Sequence, residues 1–280
     1  MKRCGENKNK RAREPFYTSK ATLAVYLVLR ALVIFSLVRA FLRGHFESVF
    51  LCGLTLVLLV LPSILTRRLH IELPTTLEII ILLFIFAAEI LGELNSFYVR
   101  VPHWDTVLHT LNGFLCAAVG FALVDMLTRS DRFSFKLSPV YLAIVAFCFS
   151  MTVGVLWEFF EYAGDTLLGL DMQKDTVIQA VRTVELDPTR LNRVVAVRDI
   201  ADVIVVHGDG TQQSLGLGGY LDVGLNDTMK DLIVNFIGAV VFSVIGYFYV
   251  KEKGKGRFAA RFIPRVLRWP SAEDTDGSNA

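Results

Sequence analysis

The stretch LWEFFEYAGDTLLGLDMQKD, residues 156–175, decides how this chain is read. It closes a long apolar run and loads that end with Glu158, Glu161 and Asp165, followed by Asp171 and Asp175. At about 100° of rotation per residue, positions 158, 161 and 165 fall within roughly 60° of one another on one helix face. Carboxylates aligned where a helix leaves lipid are costly unless something uses them. The expectation is a membrane scaffold that brings other polar groups to that face.

Composition agrees. Of 280 residues, 53% are hydrophobic and the mean hydropathy is +0.49, too apolar for an ordinary soluble domain. The apolar residues come in blocks near the ~20 residues that cross a bilayer. Cys4, Cys52, Cys116 and Cys148 have neither metal-type nor disulfide-type spacing. No cleavable signal is expected, because a polar, basic stretch precedes the first apolar run. That stretch has few interleaved aromatics, so nucleic-acid binding is not expected either.

Working outward from the opening motif, the run that ends in it is span five, residues 137–162. Before it come span one (21–42, with Arg30 and Arg39), span two (46–65), span three (74–94, with Glu78, Glu89 and Glu93) and span four (103–127). Span four opens with Asp105, His109, Asn112 and Gly113. After the motif, residues 163–226 form a non-apolar insertion. Its middle, RVVAVRDIADVIVV at 193–206, is β-branched and runs into the turn signal His207-Gly208-Asp209-Gly210, which predicts a small hairpin or ribbon. Span six covers 227–250 and opens with Asp227, Asp231 and Asn235. Residues 1–20 read as a basic cytoplasmic tail. Residues 251–280 read as a basic amphipathic segment suited to an anionic leaflet, followed by a disordered tail. The expected fold class is an all-α membrane protein, a six-helix transmembrane bundle with a small extracytoplasmic β-rich insertion between the last two spans.

Charge sets the topology. With both termini cytoplasmic, the inside segments hold 19 of the 29 lysines and arginines, including Arg67, Arg68, Arg129, Arg132 and Lys136. The expected location is a bacterial plasma membrane, with the lipid bilayer as the first partner. One span more or fewer would invert everything after it. On this topology Glu89 and Glu93, Asp105 and His109, the 158/161/165 set and the 227/231/235 set all meet the outer face.

Asp105 and His109 lie four apart on one face, and Asp227, Asp231 and Asn235 repeat that step. Oxygen-rich sites with one imidazole suit Mg²⁺, Mn²⁺, Ca²⁺ or Zn²⁺, and charge count alone does not choose among them. The candidate ligands are Asp105, His109, Glu158, Glu161, Asp165, Asp227 and Asp231. Glu158, Glu161 and Asp231 are also the candidate acid/base groups. Plainer readings stand beside these: Asp105 and Asp227 suit helix N-caps, and Glu158 and Glu161 suit exposure in the interfacial region. Capping does not explain the two glutamates, since they lie near a helix C-terminus.

Three strings then carry a resemblance: W-D-x3-H-x3-G at residues 104–113, W-E-x2-E at 157–161, and GGYLDVGLNDTMKDL at 218–232, within which D-T-x2-D-x6-G begins and runs on to Gly238. W-D-x3-H-x3-G, W-E-x2-E and D-T-x2-D-x6-G together resemble the YjdF-type inner-membrane proteins, within a broader VanZ-like grouping, and GGYLDVGLNDTMKDL is closer still to Firmicutes membrane-spanning proteins. The resemblance implies a link to the cell envelope and brings no established activity with it. The insertion is longer than the YjdF-type pattern.

Three functions compete. One is a membrane-embedded enzyme that acts on a lipid or envelope intermediate. Another is an ion- or proton-coupled transporter or sensor, and the third an envelope scaffold docking a partner on the insertion. Neither H-E-x-x-H nor G-x-S-x-G is present, which excludes two common hydrolase designs.

Overall fold

In the computed structural model, residues 19–69, 71–128, 137–252, 259–263 and 265–266 are described. Most of the basic N-terminal tail, the 129–136 loop with Arg129, Arg132 and Lys136, and most of the basic C-terminal segment lie outside the described residues.

Helix α1 (Lys20–Leu42) begins where the Ser19 hydroxyl accepts a hydrogen bond from the Thr22 N–H at 3.1 Å, an N-cap. Apart from Arg30 and Arg39 its faces are largely apolar, as expected of a helix whose surroundings are lipid rather than water. Helix α2 (Phe46–Leu58) is followed by α3 (Leu61–Leu69) after a break at Leu59 and Val60. Pro62 has no N–H to offer Leu58, so the ladder cannot run straight through. A two-residue strand β1 (Ile71–Glu72) leads into α4 (Thr75–Phe86). That helix passes without interruption into π-helical turns, Ala87–Leu94, and a short α5 (Phe97–Arg100) follows. Three long helices complete the framework: α6 (Trp104–Thr128), α7 (Pro139–Leu168) and α8 (Leu225–Lys251).

Five helical stretches are long and apolar enough to cross a membrane: Lys20–Leu42, Phe46–Ile64, Trp104–Asp125, Pro139–Leu168 and Leu225–Lys251. The expected span three is the exception. Its α-helical part stops after twelve residues, and the wider π-turns take over to Leu94. The chain is a multi-pass membrane protein, mostly helical.

The described residues divide into two compact units. The first draws on the described residues within 1–104, 118–146 and 242–280. Its core joins Tyr26, Leu29 and Val33 of α1 to Cys52, Leu59, Leu82 and Ile90. There Arg30 donates to the Tyr26 hydroxyl and stacks over its ring, which gives an intramembrane charge a polar partner one turn away. In the same unit Phe121 meets Phe242 edge to face at 6.1 Å, and β1 pairs with β8 (Arg265–Val266).

The second unit draws on residues 105–117 and 147–241. It contains the insertion and the ends of α6, α7 and α8 that adjoin it. Close backbone approach holds those three ends together. A Cβ on Gly113 would lie 2.1 Å from the Asn235 carbonyl oxygen, and one on Gly238 would lie 2.0 Å from that of Thr110. A Cβ on Gly154 would meet the Asn235 amide nitrogen at 2.6 Å. Small residues are what allow helices to touch this closely in lipid.

The insertion is built from three two-stranded antiparallel ladders. Strands β2 (Val177–Ile178) and β7 (Tyr220–Leu221) clasp its base. Between them lie β3 (Val181–Thr183) with β4 (Val195–Val197), and β5 (Ile204–Val206) with β6 (Gln212–Ser214). The expected turn at residues 207–210 closes β5 onto β6: Gly210 N–H donates to the His207 carbonyl, and His207 N–H to that of Thr211. The β-branched stretch at 193–206 is not one ribbon but two strands with different partners. Aspartates order the loops. Asp187 accepts from the Thr189 hydroxyl and from the N–H groups of Thr189, Leu191 and Arg193, and those bonds hold its carboxyl below the usual range.

Candidate functional site

Helix α7 runs to Leu168, past the expected end of span five, so Glu158, Glu161 and Asp165 are all helical. Thirty residues make a helix of about 45 Å, against a hydrocarbon core of about 30 Å. A straight helix of that length, standing along the bilayer normal, cannot lie wholly within such a core.

His109 is the hub. Its Nε2 lies 3.4 Å from Asp105 Oδ1, one turn back on α6, and 3.9 Å from Asp231 Oδ2 on α8. Its Nδ1 lies 3.9 Å from Glu158 Oε1 on α7. One ligand atom from each of Asp105, His109 and Asp231 can be chosen so that all lie within 4.8 Å of one another. Glu158 is 5% exposed and Asp231 1%, yet Glu158 Oε2 and Asp231 Oδ1 have no hydrogen-bond partner. Buried carboxylate oxygens are normally satisfied, so two orphans beside one imidazole are an unusual local arrangement. Two like charges about 5 Å apart repel by about 3 kcal/mol at an effective dielectric near 20, so the array is unstable as bare anions.

The remaining acids are engaged elsewhere. Glu161 Oε1 accepts from the Trp157 indole at 2.8 Å. Asp165 accepts from the N–H groups of Met172 and Gln173 at 2.5 and 2.8 Å. Asp227 accepts from the Lys174 N–H at 2.9 Å and pairs with Lys230 at 3.7 Å. These bonds strap residues 172–174 across the ends of α7 and α8, and Gln173 adds a bond to the Thr228 hydroxyl. Asp227 therefore does not cap its own helix. That part falls to Asp222, which accepts from the Asn226 N–H at 2.8 Å and from the Thr176 N–H at 2.7 Å. Burial would raise the Asp222 carboxyl, but these donors outweigh it and hold it low. At Asp175 burial wins, and Asp171, Asp222 and Asp165 push it further up. Glu89 and Glu93, expected at the same face, belong to the other unit.

One turn further along the helices is a polar layer. Asn112 Nδ2 donates to Asn235 Oδ1 at 3.2 Å, the Cys116 thiol donates back to Asn112, and the Ser150 hydroxyl donates to the Gly113 carbonyl at 2.7 Å.

A family described as predicted membrane proteins, DUF2238, matches residues 21–252. The chain belongs to that family. An uncharacterized protein of Thermotoga maritima is 27% identical to this DUF2238 member over 107 residues, which is 38% of the chain and 53% of the relative. The alignment thus spans about half of that relative's length. No solved structure matches.

Sequence reasoning missed Ser150, Gly154, Gln173 and Thr228. A signal for the first two was present: Ser150, Gly154 and Glu158 repeat the four-residue step of the opposite helices. Gln173 left none, because a loop residue reveals its partner only in three dimensions; Thr228, on α8, stands inside the D-T-x2-D string but was not singled out there.

Proposed function

We propose that this DUF2238 member is a membrane-embedded, divalent-metal-dependent enzyme acting on a lipid or cell-envelope substrate. It has six spans, with the π-helical segment completing the third, both termini cytoplasmic and the site at the outer face. The resemblance to YjdF-type and VanZ-like proteins agrees with a place in the envelope.

The observation that carries this reading is the set Asp105, His109 and Asp231 within 4.8 Å, with orphan carboxylate oxygens beside it. The two ring nitrogens of His109 have different duties. Nε2 faces Asp105 and Asp231 and is the ligand atom, while Nδ1 faces Glu158. At 3.9 Å Glu158 Oε1 is beyond hydrogen-bond distance of Nδ1, and closing to it would give the carboxylate–histidine–metal order in which an outer carboxylate fixes the imidazole's tautomer and orientation. Glu158 is then a positioning residue rather than a ligand. Three protein donors including an imidazole suit Mn²⁺ or Zn²⁺ better than Ca²⁺, which takes six to eight oxygens. Open coordination positions leave room for a water or a substrate oxygen, which the ion would polarise.

Elemental analysis of protein purified without chelators tests this. We expect close to one Mn or Zn per chain, lost in Asp231→Asn and His109→Gln. Wild-type protein without stoichiometric metal, or variants that retain it, would refute the reading. The polar layer of Asn112, Asn235 and Ser150 favours a second one, an ion-coupled transporter, since a pathway needs polar groups at depth. Reconstituted vesicles whose ion flux disappears in Asn235→Leu would select it.

A further inference from the structure

Beside the acidic site a groove of about 340 Å³ is lined by Asn112 of α6 and by Val153, Leu156, Trp157 and Phe160 of α7. The four α7 residues follow helical spacing and form one face about two turns long, roughly 10 Å. Leu156, Trp157 and Phe160 are each exposed, and Trp157 and Phe160 stack at 5.4 Å between ring centroids. The groove and the site share a border. Asn112 is one turn from His109, Trp157 and Phe160 alternate with Glu158 and Glu161, and the Trp157 indole is bonded to Glu161. An apolar trough of this length in a membrane span fits a hydrocarbon chain.

Charge decides what head that chain carries. The border presents aromatic faces and a carboxylate, Trp157 and Phe160 with Glu161 bonded to the Trp157 indole. The lysines nearby are already committed: Lys230 to Asp227 and Lys174 to Asp171. Among the described residues, an anionic head would meet a carboxylate with both of these lysines already paired. An ammonium head would meet an aromatic face and a carboxylate, the pairing that recognises such cations.

We infer that the groove and its acidic border bind an amphiphile with a cationic amine head, the chain along Val153, Leu156 and Phe160 and the ammonium at Trp157 and Glu161. This builds on reading the neighbouring cluster as a functional site and names the substrate class it serves.

The test uses the full-length, metal-analysed protein in nanodiscs of a zwitterionic lipid. The probes are dodecyltrimethylammonium, dodecyl phosphate and tetramethylammonium, with a diazirine-bearing dodecyltrimethylammonium for mapping. Dodecyltrimethylammonium is expected to bind at least tenfold more tightly than dodecyl phosphate and tetramethylammonium, with cross-links falling within residues 153–160. Val153→Trp, which fills the trough, should weaken it about tenfold with metal content unchanged. Glu161→Gln should reduce the preference over dodecyl phosphate. Equal binding of the two dodecyl probes, or cross-links confined to other helices, overturns the inference even if Val153→Trp proves unstable. Metal-loaded protein with no ammonium preference sinks this proposal alone. Metal-free protein that keeps the preference sinks the metal reading alone.

Discussion

Gly238→Ala is the sharpest perturbation this packing offers. The added methyl would lie 2.0 Å from the Thr110 carbonyl oxygen and 2.9 Å from the Phe114 nitrogen, both backbone atoms. Ordinary contact begins near 3.4 Å, so α6 and α8 must part by about 1.4 Å at their crossing. Overpacking of that kind costs about 1–3 kcal/mol. At roughly 2–4 °C per kcal/mol for a chain of this size, the thermal midpoint should fall by about 2–12 °C. The site feels the same displacement, because His109 stands on α6 and Asp231 on α8, 3.9 Å apart. Metal affinity should therefore drop together with stability. Gly53→Ala is the control, since its methyl meets nothing within 4 Å and the position is helical. There the change should be neutral or slightly stabilising. Thermal unfolding in detergent micelles, followed by size-exclusion fluorescence, measures both variants. A Gly238→Ala protein that melts and binds metal like wild type would refute the glycine-contact argument.

Asp165→Ala removes the acceptor for two N–H groups, and should cost about 1–3 kcal/mol while speeding amide exchange at Met172 and Gln173. Exchange unchanged there would show that the strap does not depend on that carboxylate. In the insertion, Asp187 and Asp202 have carboxyls held low by the hydroxyls of Thr189 and Ser214 respectively, together with backbone N–H groups. A depressed folded pKa gives stability that is fully present above the ordinary carboxylate value, about 3.9, and is lost as pH falls through the folded value. Amide protection in β3–β6 should thus be flat from pH 7 to about 5 and decline only below about 4; loosening already at pH 6 would contradict this. For topology, a cysteine at Gly208 in a background lacking the native cysteines should react with an impermeant maleimide on intact cells, and one at Ser138 should not. The opposite pattern would reverse the orientation.

Apolar runs made five of the spans legible, because a bilayer imposes length and hydropathy directly on sequence. Residues 87–94 were not readable as π-helical: AAEILGEL carries no local mark of a wider turn, which arises from packing. His109 and Asp231 were legible as partners because each shares the four-residue step of its own helix, and topology brought those faces to one end. Asp165 and Asp227 looked equivalent to them in spacing. What separates them is the strap at 172–174, whose backbone donors come from a loop with no periodicity. The 193–206 stretch reads as strand throughout, and the sequence does not say that Val195 would pair with Thr183 while Ile204 pairs with Ser214. Partner choice in short strands depends on where the connecting turns let the chain double back.

The clasp between β2 and β7 makes the insertion modular. The chain leaves and rejoins the helical framework at one spot, where Thr176 and Asp222 bond to each other in both directions. Everything between Ile178 and Tyr220 hangs from that junction. The entropy of closing such a loop grows only slowly with its length. Segments can therefore be grafted into or trimmed from the β-hairpins while α7 and α8 keep their relation. A change within the hairpins need not reach the acids at the helix ends.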